Sequence, residues 1–111
     1  MTVTPPGSCD HAGVFVRVWE YEVPLDRTGA FITAYAAGGP WGELFRRAGG
    51  FLGTELYRDS ARPGRYLTVD RWQDEQAWQA FLAAFRPDYE SLDAQLEGIA
   101  AVERSLFEGS S

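Results

Sequence analysis

Strict alternation of side chains marks the first strand of the chain. In VFVRVWEYEV, residues 14–23, three valines fall on one side and bulkier residues on the other, which is the period of a β-strand. FLGTELYRD and RYLTVDRW are two further strands joined by SARPG, a loop of hairpin length that contains Pro-Gly. We expect these two to pair antiparallel. The segment AVERSLFEG predicts the last strand.

Helical spacing of apolar residues fills the intervals between the strands. LDRTGAFITAYAAGG predicts a helix with Leu25 and Tyr35 on its apolar stripe, and PWGELFRRAGG predicts a short helix with proline at its first position. The clearest signal is DEQAWQAFLAAF, which Asp74 caps and in which apolar residues recur at i, i+3, i+4 and i+7. Trp78 begins that stripe and is predicted to lie in the core. Pro87 ends this helix and begins another.

The order of these elements predicts a ferredoxin-like plait (βαββαβ) of the α+β class, an antiparallel sheet with helices on one face. The length of 111 residues suits one domain. Residues 1–12 are rich in Pro, Gly, Ser and Thr and predict a flexible N-terminal tail. The single domain is then residues 13–108, followed by a C-terminal tail over residues 109–111.

The two faces of the predicted sheet carry different side chains. The valine and leucine positions form the natural core side, under the helices. The other face presents ten residues, six of them aromatic: Phe15, Arg17, Trp19, Tyr21, Glu55, Tyr57, Tyr66, Thr68, Asp70 and Trp72. A monomer does not usually expose an aromatic patch of that extent. We expect a second copy to cover it, sheet against sheet, in a homodimer with a partly polar pocket for a flat aromatic ligand.

Composition narrows the classes of function. The net charge of −6 repels phosphate backbones and anionic lipid, so we expect neither nucleic acid nor a membrane as partner. All ten basic residues are arginine, which excludes Schiff-base chemistry by lysine. Cys9 and His11, the only cysteine and histidine, are too few ligands for a closed metal site. Because the first residues contain no signal-like apolar segment, the expected location is cytoplasmic.

Two segments carry a resemblance to a known family. AGGFLGTELYRD (48–59) matches a Gly-Phe-Leu strand entry, and RYLTVDRWQDEQAWQAF (65–81) matches an acid-x-Trp strand-to-helix junction. Through them the chain resembles, over about residues 14–107, the antibiotic biosynthesis monooxygenase domain of the dimeric α+β barrel superfamily. Characterised relatives include cofactor-free monooxygenases that turn phenolic polyketide rings into quinones, and others that degrade haem with a pocket histidine. Since the one histidine here is His11, the resemblance implies the first activity, with O₂ as co-substrate and no cofactor or metal.

The resemblance also implies matches for individual site residues of the family. The strand-end tryptophan of the quinone-forming relatives falls at Trp72, whereas Thr68 stands in place of their asparagine, Trp78 in place of a tyrosine and Tyr57 in place of a histidine. These replacements leave two other functions open. One is a non-oxidative cyclase or isomerase of the same fold acting on a poly-β-ketone. The other is a non-catalytic dimer, either a ligand-binding or an accessory protein.

The candidate catalytic residues are Tyr57, Tyr66, Asp70 and Arg17. Tyr57 and Tyr66 are expected to be neighbours on the hairpin, and one of them, or Asp70, would take a phenolic proton. Arg17 would hold the developing negative charge. Arg17 and Asp70 are also the cross-strand charge pair that the pattern indicates.

The candidate substrate-binding residues are Trp72, Trp19, Tyr21, Thr68 and Glu55. Glu55 is the carboxylate that competes with Asp70 for the role of base. Trp72 either stacks on an aromatic substrate or closes the end of the barrel, and we favour the second role.

Overall fold

Four strands form one antiparallel sheet in the computed structural model, which describes residues 13–111. They are β1 (Phe15–Glu22), β2 (Phe51–Arg58), β3 (Arg65–Trp72) and β4 (Val102–Ser110). The strand order across the sheet is β2-β3-β1-β4. This confirms the ferredoxin-like α+β fold. The strand β4 extends two residues into the segment expected as a C-terminal tail, and the predicted tail over residues 1–12 lies outside the described residues.

Three helices connect the strands. A 3₁₀ turn (Leu25–Arg27) leads into α1 (Thr28–Tyr35), and α2 (Pro40–Phe45) and α3 (Glu75–Leu96) follow. The Asp74 carboxylate accepts a hydrogen bond of 2.8 Å from the backbone N–H of Ala77, so the predicted cap of α3 is confirmed. The backbone of α3 departs from helical geometry at Phe85, where φ is −123° and ψ is 21°. Pro87 explains the kink, because its ring and its missing N–H disturb the preceding turn.

The buried stripe of α1 differs from the prediction. Leu25 is 91% exposed, whereas Phe31, Ala34 and Tyr35 are buried. The chain enters α1 through a 3₁₀ turn, which advances the residues around the axis by a different angle than an α-helix does. The face of α1 that packs on the sheet is therefore set by Phe31 and Tyr35.

The helices cover the aromatic face of the sheet, so the predicted assignment of the two faces was wrong. Phe15, Tyr21, Tyr66 and Trp72 are all buried and belong to the same core as the helical aromatic residues. The valines of β1 and the apolar residues of β3 on the other face are only partly buried. The physical reason is volume: aromatic rings bury more apolar area per residue and fill the gap between a sheet and its helices.

The register of the β2–β3 hairpin separates Tyr57 from Tyr66, which we expected to be neighbours. Glu55 pairs with Val69 and Tyr57 with Leu67, and residues directly opposite one another share a face of the sheet. Glu55 and Tyr57 thus lie on the uncovered face, while Tyr66 is buried under the helices. The register depends on the conformation of the loop at 59–64. The sequence gives the length of this loop, but not which residues pair across it.

Trp72 occupies the centre of an aromatic cluster. Its ring centroid lies 5.4 Å from that of Phe45, 5.1 Å from Phe51, 5.3 Å from Trp78 and 5.3 Å from Phe81. Its exposed fraction is 0%. These contacts join β3 to α2, β2 and α3, and they give Trp72 a structural role in the core.

Gly50 is where a side chain would disturb the junction of β2, β3 and α3. Its carbonyl accepts a 2.8 Å hydrogen bond from the Gln73 N–H, and a Cβ placed on it would overlap the Cβ of Ala77. We expect Gly50→Ala to lower the free energy of unfolding by about 1–3 kcal/mol, measured by urea denaturation. Gly49→Ala is the control, since a Cβ there meets nothing within 4 Å. Equal losses in both variants would contradict this role for Gly50.

Candidate active site

A small cavity of about 60 Å³ lies between the helices and the sheet face that they cover. All four strands and all three helices contribute to its wall. The lining residues are Arg17, Trp19, Tyr21, Tyr35, Trp41, Phe45, Thr54, Thr68, Asp70, Tyr89, Asp93 and Glu103. The wall is therefore mostly aromatic, with charged groups from the strands and from α3.

The cavity brings together five residues that the sequence singled out. They are Arg17, Trp19, Tyr21, Thr68 and Asp70. Their alternation along β1 and β3 was read correctly, and the register pairs Arg17 with Asp70 and Trp19 with Thr68. The structure places them under the helices of their own chain, and not between two sheets.

Four other predicted site residues lie elsewhere. Tyr66 and Trp72 are buried on the same sheet face but do not line the cavity. Tyr57, 49% exposed, and Glu55 lie on the uncovered face, where Glu55 forms an ion pair with Arg71. Glu55 and Tyr57 are thus on the wrong side of the sheet to act in this cavity.

Asp70 is a buried carboxyl group on the cavity wall, with an exposed fraction of 6%. The Thr54 hydroxyl donates a 2.7 Å hydrogen bond to its Oδ1, and Arg17 Nη1 lies 4.0 Å from its Oδ2. Burial raises the pKa of Asp70, and the Thr54 hydrogen bond and the Arg17 charge only partly oppose that rise. A carboxylate made more basic in this way is suited to accept a proton from a bound ligand.

Arg17 is the cation of the cavity wall and is held from three sides. Its guanidinium carbon lies 3.9 Å from the ring centroid of Trp78, and its Nε donates a 3.0 Å hydrogen bond to Glu108. Asp70 is its third neighbour. The cross-strand pair predicted from the sequence is present, and Trp78 supports it from the core through a cation–π contact.

The cavity tyrosines are neutral phenols. Burial raises the pKa of Tyr21, with a smaller opposing effect from Thr68, and it raises the pKa of Tyr35 to about 12. Burial also raises the pKa of Tyr89. A base drawn from these tyrosines would be costly to ionise, which leaves Asp70 as the better proton acceptor.

Sequence reasoning missed several lining residues. Tyr35, Trp41, Phe45 and Tyr89 carried a signal, since they lie at apolar positions of the helical patterns, but those positions read as ordinary core. For Thr54, Asp93 and Glu103 we recognised no signal in the sequence. Asp93 follows Tyr89 by four residues on α3, a spacing that puts both on one helix face, and Thr54 is placed only by the register of β2 on β3.

Among residues 13–111, no group of three or more His, Cys, Asp or Glu side chains is arranged to hold a metal ion. The Cys9 and His11 pair considered from the sequence lies outside this part of the chain. No helix within residues 13–111 is long and apolar enough to cross a membrane.

The fold and the cavity define a class: a small α+β protein whose helices enclose an aromatic, partly charged chamber against one face of an antiparallel sheet. The sequence signature of the antibiotic biosynthesis monooxygenases matches residues 14–94. The chain belongs to this family.

Solved structures share this fold at low sequence identity. A protein of Nitrosomonas europaea assigned to the antibiotic biosynthesis monooxygenases is 14% identical, with a TM-score of 0.67 over 90% of this chain and 91% of that one. A variant of SnoaB, a cofactor-independent oxygenase from Streptomyces nogalater, is 19% identical, with a TM-score of 0.59 over 90% and 94%. A Bordetella bronchiseptica protein with the same assignment as the first is 19% identical, with a TM-score of 0.64 over 89% and 97%. A search of the curated proteins found no match.

Proposed function

We propose that this protein is a cofactor-independent monooxygenase of a small phenolic, polyketide-like aromatic, acting in natural-product biosynthesis as a cytoplasmic homodimer. The observation that carries the proposal is Asp70, a buried carboxylate with a raised pKa on the wall of an aromatic cavity. Arg17 lies beside it, where a cation stabilises a phenolate. The family supports the reaction class.

The proposed reaction needs a base and a place for negative charge. The Asp70 carboxylate takes the phenolic proton, and the electron-rich ring then reduces O₂ and forms a carbon–oxygen bond at a ring C–H position. The O–O bond breaks, one oxygen becomes the second carbonyl of a quinone, and the other leaves as water with the ring hydrogen and the phenolic proton. Phenol and O₂ thus give quinone and water, and no external electron donor is consumed.

The size of the cavity sets a condition on binding. Its volume of about 60 Å³ is well below the roughly 300–1,000 Å³ of most ligand pockets, so lining side chains must move when an aromatic ring enters. The movement is best placed at α2, which has only six residues and carries Trp41 and Phe45 into the wall. Glycine pairs flank it at 38–39 and 49–50. Failure of every aromatic probe to bind would favour the accessory, non-catalytic dimer instead.

A second candidate is a non-oxidative cyclase or isomerase in the same cavity. Asp70 favours it as well, because a carboxyl group with a raised pKa can both accept and return a proton. The two reactions differ in the mass of the product and in the need for O₂. The purified protein is incubated with a polyhydroxylated naphthalene or anthracene and, separately, with an open-chain poly-β-ketone, each with and without air, and the mass of the product is measured by mass spectrometry. Gain of one oxygen and loss of two hydrogens, only in air, supports oxygenation; loss of water in both atmospheres supports cyclisation.

The uncovered sheet face supports the dimer. Val18 and Phe107 are paired across β1 and β4, and Leu67 and Val69 continue this apolar strip along β3. Phe107 is 56% exposed in the single chain. A strip of this kind is a poor surface for a monomer, and we propose that a second copy covers it.

Phe107→Asp is expected to weaken the dimer by about 30-fold or more, since burying an unpaired carboxylate in an apolar interface costs roughly 2 kcal/mol or more. The measurement is the molecular mass by light scattering over a dilution series. Leu25→Asp is the control, because Leu25 is 91% exposed on the 3₁₀ turn. A natural protein that is monomeric at all concentrations, or a Phe107→Asp variant that dimerises normally, would contradict the proposed interface.

A further inference from the structure

One part of the cavity wall is acidic and has no matching cation. Asp93 on α3 and Glu103 on β4 both line the cavity and both reach solvent. Within residues 13–111 neither of them forms an ion pair. Partial burial raises the pKa of Glu103, and repulsion from Asp93 and Glu97 adds to the rise. The two lining carboxylates are thus close enough to repel one another.

The cation of the cavity wall does not neutralise these two carboxylates. The Arg17 guanidinium is already occupied by Glu108 at 3.0 Å and Asp70 at 4.0 Å. Its guanidinium carbon also lies 3.9 Å from the ring centroid of Trp78 and 5.9 Å from that of Trp19. Of the lining residues in the described part of the chain, Arg17 is the single base against three acids. The unmatched charge of the cavity is therefore negative and belongs to Asp93 and Glu103.

An independent observation in the same wall points to a ligand. Trp41 is 9% exposed, and its indole N–H is buried without a hydrogen-bond partner in the described residues. Tyr35 is its neighbour, with ring centroids 6.3 Å apart. The indole N–H interacts with the Tyr35 oxygen enough to oppose the rise in the pKa of Tyr35, but the two groups do not meet in full hydrogen-bond geometry. A buried donor left unpaired costs roughly 1–3 kcal/mol. A ligand oxygen in the cavity would remove that cost.

The aromatic wall, like the two carboxylates, favours a positively charged ligand. Trp19, Tyr21, Tyr35, Trp41 and Tyr89 all line the cavity. The faces of such rings are electron-rich and attract organic cations, more strongly when water is excluded. A phenol ring can lie against the same side chains by stacking. Aromatic walls with free carboxylates are thus suited to a ring that carries an ammonium group.

We propose that the cavity selects amino-substituted aromatic ligands: a protonated amine at Asp93 and Glu103, the ring against the aromatic wall, and a hydroxyl or carbonyl oxygen accepting from the Trp41 indole N–H. This proposal rests on the proposed function in that it names the substrate class of the same cavity. It places the amine at the solvent-reaching part of the wall. The reacting ring then lies towards Asp70.

The test compares three probes that share one ring. Binding of 2-(1-naphthyl)ethylamine, 2-(1-naphthyl)ethanol and 1-naphthylacetate is measured by calorimetry with the full-length protein. We expect the amine to bind about tenfold more tightly than the alcohol, and the acid to bind most weakly because its charge is repelled. The preference for the amine over the alcohol is expected to disappear in Asp93→Asn/Glu103→Gln.

A matched variant controls for net charge. Asp26→Asn/Glu75→Gln removes two exposed carboxylates that do not line the cavity, and it is expected to keep the preference. Asp93→Asn alone, at an exposed helix position, is expected to reduce the preference and serves if the first double variant does not fold. The proposal is overturned if none of the probes binds, if the acid binds as well as the amine, or if the control loses the preference equally. Binding is measured without O₂, so the result does not depend on turnover. If the amine preference is found but a hydroxylated aromatic amine then consumes no O₂ in air, the oxygenase proposal alone is overturned.

Discussion

Replacing Trp72 with alanine is expected to lower the free energy of unfolding by about 3–5 kcal/mol, the range for large aromatic residues removed from a core. Trp72 is completely buried and lies within 5.5 Å, centroid to centroid, of four other rings. Since small domains have only about 5–15 kcal/mol in total, the variant is expected to be partly unfolded at ambient temperature. Chemical denaturation followed by circular dichroism measures the loss.

Trp72→Phe separates the contribution of the ring to core packing from that of the indole N–H. The Trp72 indole N–H is buried without a hydrogen-bond partner in the described residues, so phenylalanine removes an unpaired donor along with part of the ring. The two effects oppose one another, and we expect a net loss below about 1.5 kcal/mol. Ligand binding in Trp72→Phe is expected to be unchanged. A stable Trp72→Ala that loses only ligand binding would show that the residue stacks on substrate.

Asp70→Asn is expected to reduce turnover of a phenolic substrate by about 10²–10⁴-fold, the usual contribution of a general base. The amide keeps the shape of the carboxyl group and an acceptor for the Thr54 hydroxyl, which now lies 2.7 Å from Asp70 Oδ1, but it cannot take a proton. Glu55→Gln is the control, because Glu55 lies on the other face of the sheet. Equal turnover in the natural protein and in Asp70→Asn would contradict the proposed base.

The same substitution is expected to stabilise the fold by about 0.5–2 kcal/mol at neutral pH, as is common when a destabilised site residue is replaced. Burial raises the pKa of Asp70 above its ordinary value, so the folded chain holds this proton to higher pH than the unfolded chain. Stability from this group is therefore lost as the pH rises from the ordinary aspartate pKa through the raised one. The advantage of Asp70→Asn should shrink on acidification, and urea denaturation at a series of pH values measures it.

The elements of the fold could be predicted from local patterns. The alternation in β1, the hairpin between β2 and β3, the Asp74 cap and the disturbance at Pro87 are each decided by a few neighbouring residues. A local pattern identifies a helix or a strand, but it does not identify the other elements against which that helix or strand packs. That is why the predicted strands and the fold class agree with the structure.

Which sheet face the helices cover could not be predicted in the same way. Both faces of β1 are bulky: valines alternate with Phe15, Trp19 and Tyr21. Period-2 alternation assigns side chains to two faces, but the choice between the faces depends on packing volume against helices that are distant in sequence. Five of the predicted residues still line one cavity despite this error, because they share one face of the sheet whichever side is covered.

The remaining site residues depend on contacts between separate elements. Thr54 reaches Asp70 through the register of β2 on β3, and Asp93 and Glu103 come together because α3 and β4 border the same cavity. Tyr57 was misplaced for the same reason. Such juxtapositions follow from loop lengths and helix direction, which a single sequence constrains weakly.

The fate of O₂ tests the central claim most directly. The protein is incubated with a hydroxylated aromatic under isotopically heavy oxygen gas, and the label in the product is measured by mass spectrometry for the natural chain, Asp70→Asn and Tyr57→Phe. We predict one heavy oxygen per quinone in the natural chain and in Tyr57→Phe, whose side chain lies on the uncovered face, and almost no product in Asp70→Asn. Product formed without incorporated label, or label lost in Tyr57→Phe and retained in Asp70→Asn, would contradict an oxygenase whose base is Asp70.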